Sequence, residues 1–217
     1  MSASGPGITT SYVRFETRQD RPRFLAQRYP DVFRGRVLDV GCDKAVLRGL
    51  CAPERYVGID FSPEADVHQD LMADGRLPFP DRSFEGVVCS DVLEHLENLH
   101  QVFGELVRVT RDHLLVTLPN NWNSARRQLR RGKGSIAHYG LPLEKPLDRH
   151  RWFFSFTEAE AFLRGQSERH GLTLVELRAL EKPRALVVRT ARRLLAARPD
   201  RYRNLYTHTL AAHFRRA

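Results

Sequence analysis

Val37-Leu38-Asp39-Val40-Gly41-Cys42, then Tyr56-Val57-Gly58-Ile59-Asp60, then Glu85-Gly86-Val87-Val88-Cys89-Ser90-Asp91-Val92-Leu93-Glu94-His95-Leu96 decide the fold. Each opens as a short apolar run bounded by turn residues, the pattern of a strand buried on both faces of a parallel sheet. Gly41, just past the first run, lets the backbone come close to a ligand. Asp60 follows Asp39 by about 20 residues, the spacing at which an acid meets ribose hydroxyls in doubly wound folds.

Working outward, the pattern predicts alternating strands and helices. Strands are expected at Arg36–Val40, Tyr56–Asp60, Asp66–Leu71, Gly86–Cys89, His113–Leu118, Thr173–Leu180 and Leu205–Phe214. Between them fall a leading helix at Arg18–Tyr29, a short one at Ala45–Cys51, and one at Leu99–Thr110 with apolar residues at helical spacing. Thr157 and Glu160 have the spacing of a capping box, for a helix that runs to His170 and stops at Gly171. The sum is an α/β fold, Rossmann-like and doubly wound, with a mostly parallel seven-stranded sheet. Residues 1–11 are small and polar and are expected to be disordered. Residues 120–152 break the alternation with an arginine cluster, glycines and then aromatics; they read as a cap inserted over the C-terminal strand ends of one 217-residue domain.

The net charge is +9, which favours an anionic partner, although arginine can simply decorate a surface. No apolar stretch reaches the roughly 18 residues of a membrane span. The N-terminus lacks the apolar core of a secretory leader, so a cytoplasmic location is expected. Cys42, Cys51 and Cys89 have no ligand spacing and read as free thiols without zinc or disulfide.

These runs resemble class I S-adenosylmethionine (SAM)-dependent methyltransferases, most closely over residues 36 to about 120. Leu77-Pro78-Phe79-Pro80-Asp81-Arg82-Ser83-Phe84 adds to the likeness, since similar phrases precede the fourth strand of many small-molecule members. The resemblance implies SAM as cofactor, held at Asp39, Gly41, Asp43, Asp60 with Phe61, Asp70 with Leu71, and Ser90. One departure stands out. The family's first loop reads Gly-x-Gly-x-Gly; here it is Gly41-Cys42-Asp43-Lys44-Ala45. Side chains at the second and third glycine positions restrict φ and crowd a ligand, which predicts weakened cofactor binding and leaves open a binding or scaffold protein on the same fold. No phosphate loop and no Tyr-x-x-x-Lys pair occurs, which argues against nucleotide hydrolysis and short-chain NAD chemistry.

Methyl transfer to a hydroxyl gains from a base. His95 is the first candidate, with His150 and Tyr139 of the insert beside it. A helix through Asp91, Glu94 and His95 would put all three on one side. That spacing is similar to the Glu-x-x-Glu-His of ubiquinone-biosynthesis O-methyltransferases, which implies a divalent-cation site as the alternative; the expectation is no metal. The phrase His138-Tyr139-Gly140-Leu141-Pro142 with Asp148-Arg149-His150-Arg151-Trp152-Phe153-Phe154 supplies rings and imidazoles for a substrate pocket and resembles a bacterial methyltransferase subgroup. Phe153, Phe154 and Phe156 are expected to anchor the insert.

A helix at Arg184–Ala197 gathers Val187, Val188, Ala191, Leu194 and Leu195 on one face. The expectation is that this face packs on the core and the arginines face solvent. The alternative is peripheral contact with an anionic membrane through 184–197, which would make a lipid-linked acceptor attractive. The expected acceptor is a small molecule, drawn in by the arginines at 126–131 if it is anionic. An RNA acceptor rests on charge alone, since no appended RNA-binding motif is visible.

Overall fold

The structure is a computed structural model that describes residues 5–51, 55–136, 138–146 and 149–216. Asp148 and the first four residues of the leading segment lie outside these.

The described residues form one eight-stranded sheet with helices around it. In chain order come β1 (Ile8–Tyr12), α1 (Asp20–Arg28), β2 (Val37–Val40), β3 (Tyr56–Asp60), β4 (Val67–His68), β5 (Phe84–Ser90), α2 (Leu99–Val109), β6 (Thr110–Pro119) and α3 (Asn121–Arg130). Then follow α4 (Phe156–His170), β7 (Leu172–Glu181), α5 (Leu186–Ala196), α6 (Pro199–Tyr206) and β8 (Thr207–Arg216). The strand order is β1-β7-β8-β6-β5-β2-β3-β4. All pairings are parallel except those of β8, which runs antiparallel between β6 and β7. The order reverses at β2 and β5, so a crevice opens beyond their C-terminal ends, where ligands bind in open α/β sheets.

The Rossmann-like reading holds, with an eighth strand where seven are expected. The extra strand is β1, which adds to the edge of β7 from Ile8↔Leu177 to Tyr12↔Glu181. A polar segment expected to be disordered can satisfy its backbone in this way because edge pairing needs no apolar pattern. The third strand shrinks to Val67–His68, paired only with the end of β3: the Gln69 N–H still reaches the Asp60 carbonyl, and a turn closed on the Asp70 carbonyl follows. The expected helix after β2 is a 3₁₀ turn at Val46–Leu50. The capping box also shifts: Ser155 and Glu158 form it, two residues earlier than Thr157 and Glu160. α4 ends at Gly171 in the left-handed region, as expected.

Burial on both faces of the sheet explains the continuous apolar runs. Leu38, Val40, Ile59, Val87 and Cys89 join α2 and α4 in one core; Val37, Val88 and Leu115 face α1 and the turn after it in the second. The Leu77–Phe84 phrase is a strap over α2. Arg108 donates to the carbonyls of Leu77 and Phe79 and pairs with Asp81, while Glu105 accepts the Leu77 N–H.

The α5 expectation is overturned. Only Ala196 of this helix is buried, while Val187, Leu194 and Leu195 are 79%, 76% and 76% exposed. Arg189 and Arg192 turn inward instead, onto tyrosine rings.

Gly86 sits where the turn at Pro30–Phe33 crosses β5, and a Cβ there would collide with the Val32 carbonyl oxygen. Overpacking against backbone costs about 1–3 kcal/mol. Gly86→Ala should therefore lower the denaturant midpoint without changing the slope; an unchanged midpoint would mean that this turn is free to shift.

Candidate functional site

The crevice at the β2/β5 switch is a cavity of about 900 Å³. Its first half is built by the ends of β2 and β3. Asp60 is the organising group: its Oδ2 accepts the Asp43 N–H at 3.0 Å and its Oδ1 accepts the Ser62 N–H at 3.0 Å. Each carboxylate oxygen keeps a second lone pair for a ligand hydroxyl. Phe61 beside it is 71% exposed, an open ring face at the cavity wall. Asp70 accepts the Met72 N–H at 2.9 Å, in a turn that places Leu71 between cavity and core.

The altered glycine loop keeps a glycine-type backbone. Gly41 has φ +74°, and Asp43 and Ala45, which stand where glycines are expected, also have positive φ, 45° and 49°. So the substitutions did not straighten the loop; the protein holds two L-residues in the left-handed region. Asp43 is turned outward to Arg18 at 2.6 Å, so its charge is partly neutralised. The Ser62 hydroxyl donates to the Asp43 carbonyl at 2.7 Å and locks the turn from the other side.

Asp39 lies buried beneath this loop and accepts the Tyr56 hydroxyl at 2.8 Å. Burial pushes its carboxyl up to about 7, the Tyr56 hydrogen bond opposes the rise, and the Asp60 charge adds to it. A cation bound in the cavity would favour its ionised form.

The roof was not legible in the sequence. α1 and the segment before it lie over the cavity through Phe15, Thr17, Arg18 and Arg21. Arg21 pairs with Asp91, whose other oxygen accepts the Thr117 hydroxyl at 2.6 Å. Ser90 is bonded to the same Thr117 hydroxyl at 2.9 Å. No local pattern signals this, because the partners lie 70 residues apart.

The second half of the cavity collects His95, Glu94, His138 and His150. The helical facing of Asp91, Glu94 and His95 does not form. Asp91 has φ +54°, the chain then makes a 3₁₀ turn at Leu93–His95, and Asp91 is committed to Arg21 and Thr117. His150 takes its place: one ligand atom each from Glu94, His95 and His150 lie within 4.8 Å of one another. The His95 and His150 rings meet edge-on at 4.5 Å, and His138 stacks on His150 at 4.5 Å.

Residues 151 and 152 are pinned here to the backbone that follows β5. The Arg151 N–H donates to the Glu94 carbonyl at 2.8 Å, and Trp152 Nε1 donates to the Leu96 carbonyl at 2.7 Å. Tyr139 lines a neighbouring cavity and reaches His150 Nδ1 at 3.0 Å and the Trp152 carbonyl at 3.0 Å. Burial, then the Glu94 charge, raises the Tyr139 phenol, so it stays protonated at neutral pH. When Tyr139 donates to the Trp152 carbonyl, His150 donates through Nδ1, and Nε2 becomes its basic nitrogen. Phe154 and Phe156 pack on the core as expected, but Phe153 is 51% exposed and meets only the Tyr139 ring edge among the ring contacts of the described residues. Of the arginine cluster, Arg126 is structural: it donates to the Leu205 carbonyl at 2.9 Å and covers the Tyr206 ring.

A family model described as a methyltransferase domain matches residues 13–177. The chain belongs to this methyltransferase family. It is a class I SAM-dependent methyltransferase, and the solved structures it resembles agree in fold. A SAM-dependent methyltransferase from Archaeoglobus fulgidus superposes with a TM-score of 0.61 at 18% identity, over 92% of this chain and 95% of that one. One from Mesorhizobium loti gives 0.54 at 16% identity, over 89% and 96%. The small RNA methyltransferase HEN1 gives 0.58 at 16% identity, over 95% of this chain and 27% of that one. No curated protein matches by sequence.

In this methyltransferase, Ala45 in the left-handed region carries strain of roughly 1–2 kcal/mol, against which a glycine's extra chain entropy costs about 0.5–1 kcal/mol. Ala45→Gly should leave stability equal or up to about 1 kcal/mol higher in denaturant unfolding. A clear loss of stability would show that the Ala45 methyl's packing outweighs the strain.

Proposed function

We propose that the enzyme methylates a hydroxyl oxygen of a small-molecule acceptor, with His95 as the general base. The observation that carries this reading is the meeting of His95, Glu94 and His150 in the half of the cavity next to the Gly41–Asp60 half. The residues present fit SAM: a fixed carboxylate with spare lone pairs at Asp60, an exposed ring at Phe61, and acids at Asp39 and Asp70 for the cationic groups and the ribose. When bound, SAM supplies a methyl group activated by its sulfonium.

In this reading Asp60, supported by Phe61 and Leu71, holds the nucleoside, and Gly41 with the Asp43 loop gives the backbone its close approach. Ser90 lines the cavity where the two halves meet. His95 takes the hydroxyl proton as the oxygen–methyl bond forms and the sulfur–methyl bond breaks. The Glu94 carboxylate, 3.8 Å from His95 Nε2, stabilises the imidazolium that results. His150, oriented by Tyr139, is a second base or orients the acceptor. α1 above and the insert beside the cavity exclude water, which strengthens these electrostatic effects.

The same three residues support a second reading, a divalent cation held by Glu94, His95 and His150, which would polarise the acceptor hydroxyl. The likeness to ubiquinone-biosynthesis enzymes rests on Glu94-His95 alone, with Asp91 engaged elsewhere. An RNA hydroxyl as acceptor draws support from the +9 charge and from the resemblance in fold to HEN1.

Two experiments test the proposal. Asp60→Ala should weaken SAM binding by about 10- to 100-fold in calorimetry, the loss of a charged acceptor; unchanged affinity would move the ribose to another carboxylate. His95→Ala should keep SAM affinity and lose about 10²–10⁴ in turnover, read as S-adenosylhomocysteine released across a panel of hydroxyl acceptors. Turnover insensitive to chelator supports the base. Activity lost to chelator and restored by Mg²⁺ or Mn²⁺, with direct binding of that ion, establishes the cation instead. Tight RNA binding that falls steeply with salt would move the acceptor to RNA.

A further inference from the structure

α5 lies on the protein the wrong way round for an ordinary surface helix. At 100° per residue, Val187, Ala191, Leu194 and Leu195 fall in one arc, and Arg189, Arg192 and Ala196 fall in the opposite one. It is the arginine arc that faces the protein. Arg189 covers the Tyr12 ring at 4.2 Å, Arg192 the Tyr206 ring at 4.6 Å, and Arg193 the Tyr202 ring at 5.7 Å. Of the other arc, Val187, Leu194 and Leu195 are left between 76% and 79% exposed. Cation–π contacts thus hold a helix whose aliphatic ridge is directed outward.

The surroundings of the ridge are basic. Arg184, Arg198 and Arg201 are exposed at its two ends. Burial and the charges of Arg127, Arg14 and Arg184 depress Lys182, a sign of the positive field at the helix's start. The acids nearby are committed: Glu181 is buried and accepts the Tyr202 hydroxyl, and Asp200 pairs with Arg203. β7 runs parallel to β6, so α5 leaves the sheet from the edge that carries the cavity.

We propose that α5 is a membrane-docking helix that lies flat on an anionic phospholipid surface, with Val187, Ala191, Leu194 and Leu195 toward the acyl chains and the flanking arginines against lipid phosphates. A convex aliphatic ridge with a basic rim is the form an interfacial helix takes. A second copy of the chain would bring the same positive rim and be repelled. A protein partner is disfavoured because the centres of protein interfaces are rich in aromatic side chains, and this ridge has none.

The test is sedimentation of the full chain with vesicles of phosphatidylcholine alone and of phosphatidylcholine mixed with phosphatidylglycerol. Binding to the mixed vesicles, weakened by salt, and lowered at least tenfold by L194Q/L195Q, is expected. Both side chains are exposed, so the variant's melting temperature should stay unchanged. No binding to the mixed vesicles, or equal binding by the double variant, would overturn the proposal. So would concentration-dependent dimerisation that the double variant abolishes, since the ridge would then belong to a second copy.

Discussion

The two bonds accepted by Asp60, from the Asp43 and Ser62 N–H groups, hold the ends of β2 and β3 in one fixed relation. The loop between Gly41 and Ala45 has no helix of its own to rest on, only a 3₁₀ turn behind it. The Ser62 hydroxyl on the Asp43 carbonyl and the Ala45 N–H on the Cys42 carbonyl add to these bonds in keeping two L-residues at positive φ. The loop so held carries Asp43 and Ala45 at positive φ, and beneath it burial, with a smaller contribution from the Asp60 charge, raises the Asp39 carboxyl to about 7. The cavity floor is thus organised around one buried carboxylate, that of Asp60.

The opposite half of the cavity depends on a different kind of tie. Glu94 offers its backbone carbonyl to Arg151 and Trp152, and Leu96 offers its own to the Trp152 indole. These bonds fasten an irregular segment to the loop after β5 and bring His138 and His150 against His95. Asn121, at the start of α3, donates to the Tyr139 hydroxyl and the Trp152 carbonyl, so the insert is braced from its own first helix. The imidazole cluster is thus assembled by hydrogen bonds from the backbone and from the Trp152 and Asn121 side chains.

Ion pairs tie the leading segment and α1 to the cavity rim. Arg18 reaches Asp43 on the Gly41–Asp60 side, and Arg21 reaches Asp91 at the junction. Arg21 also covers the Phe15 ring. The basic composition accordingly has several separate uses: clamping α1, stacking on the tyrosines under α5, and strapping Leu77–Phe84 to α2 through Arg108. A net charge read as one property of the chain resolves into local tasks.

The sequence by itself determined the sheet's centre. Buried parallel strands must be apolar on both faces, so β2, β3, β5 and β6 announce themselves, and the acids and glycine at their ends mark the cavity edge. The sequence also carried His95 as a candidate from its place just after β5, and His150 and Tyr139 from the rings and imidazoles gathered in residues 138–152. What only the tertiary structure decided was whatever depends on contacts distant in the chain. β1 is polar and became a strand because β7 offered an edge. Asp91 left the Glu94–His95 group because Arg21 and Thr117 claimed it. α5 has the periodicity of a core-facing helix, yet tyrosines on β1 and α6 hold Arg189 and Arg192 inward, and periodicity shows that a helix has two faces without showing which one turns to the protein.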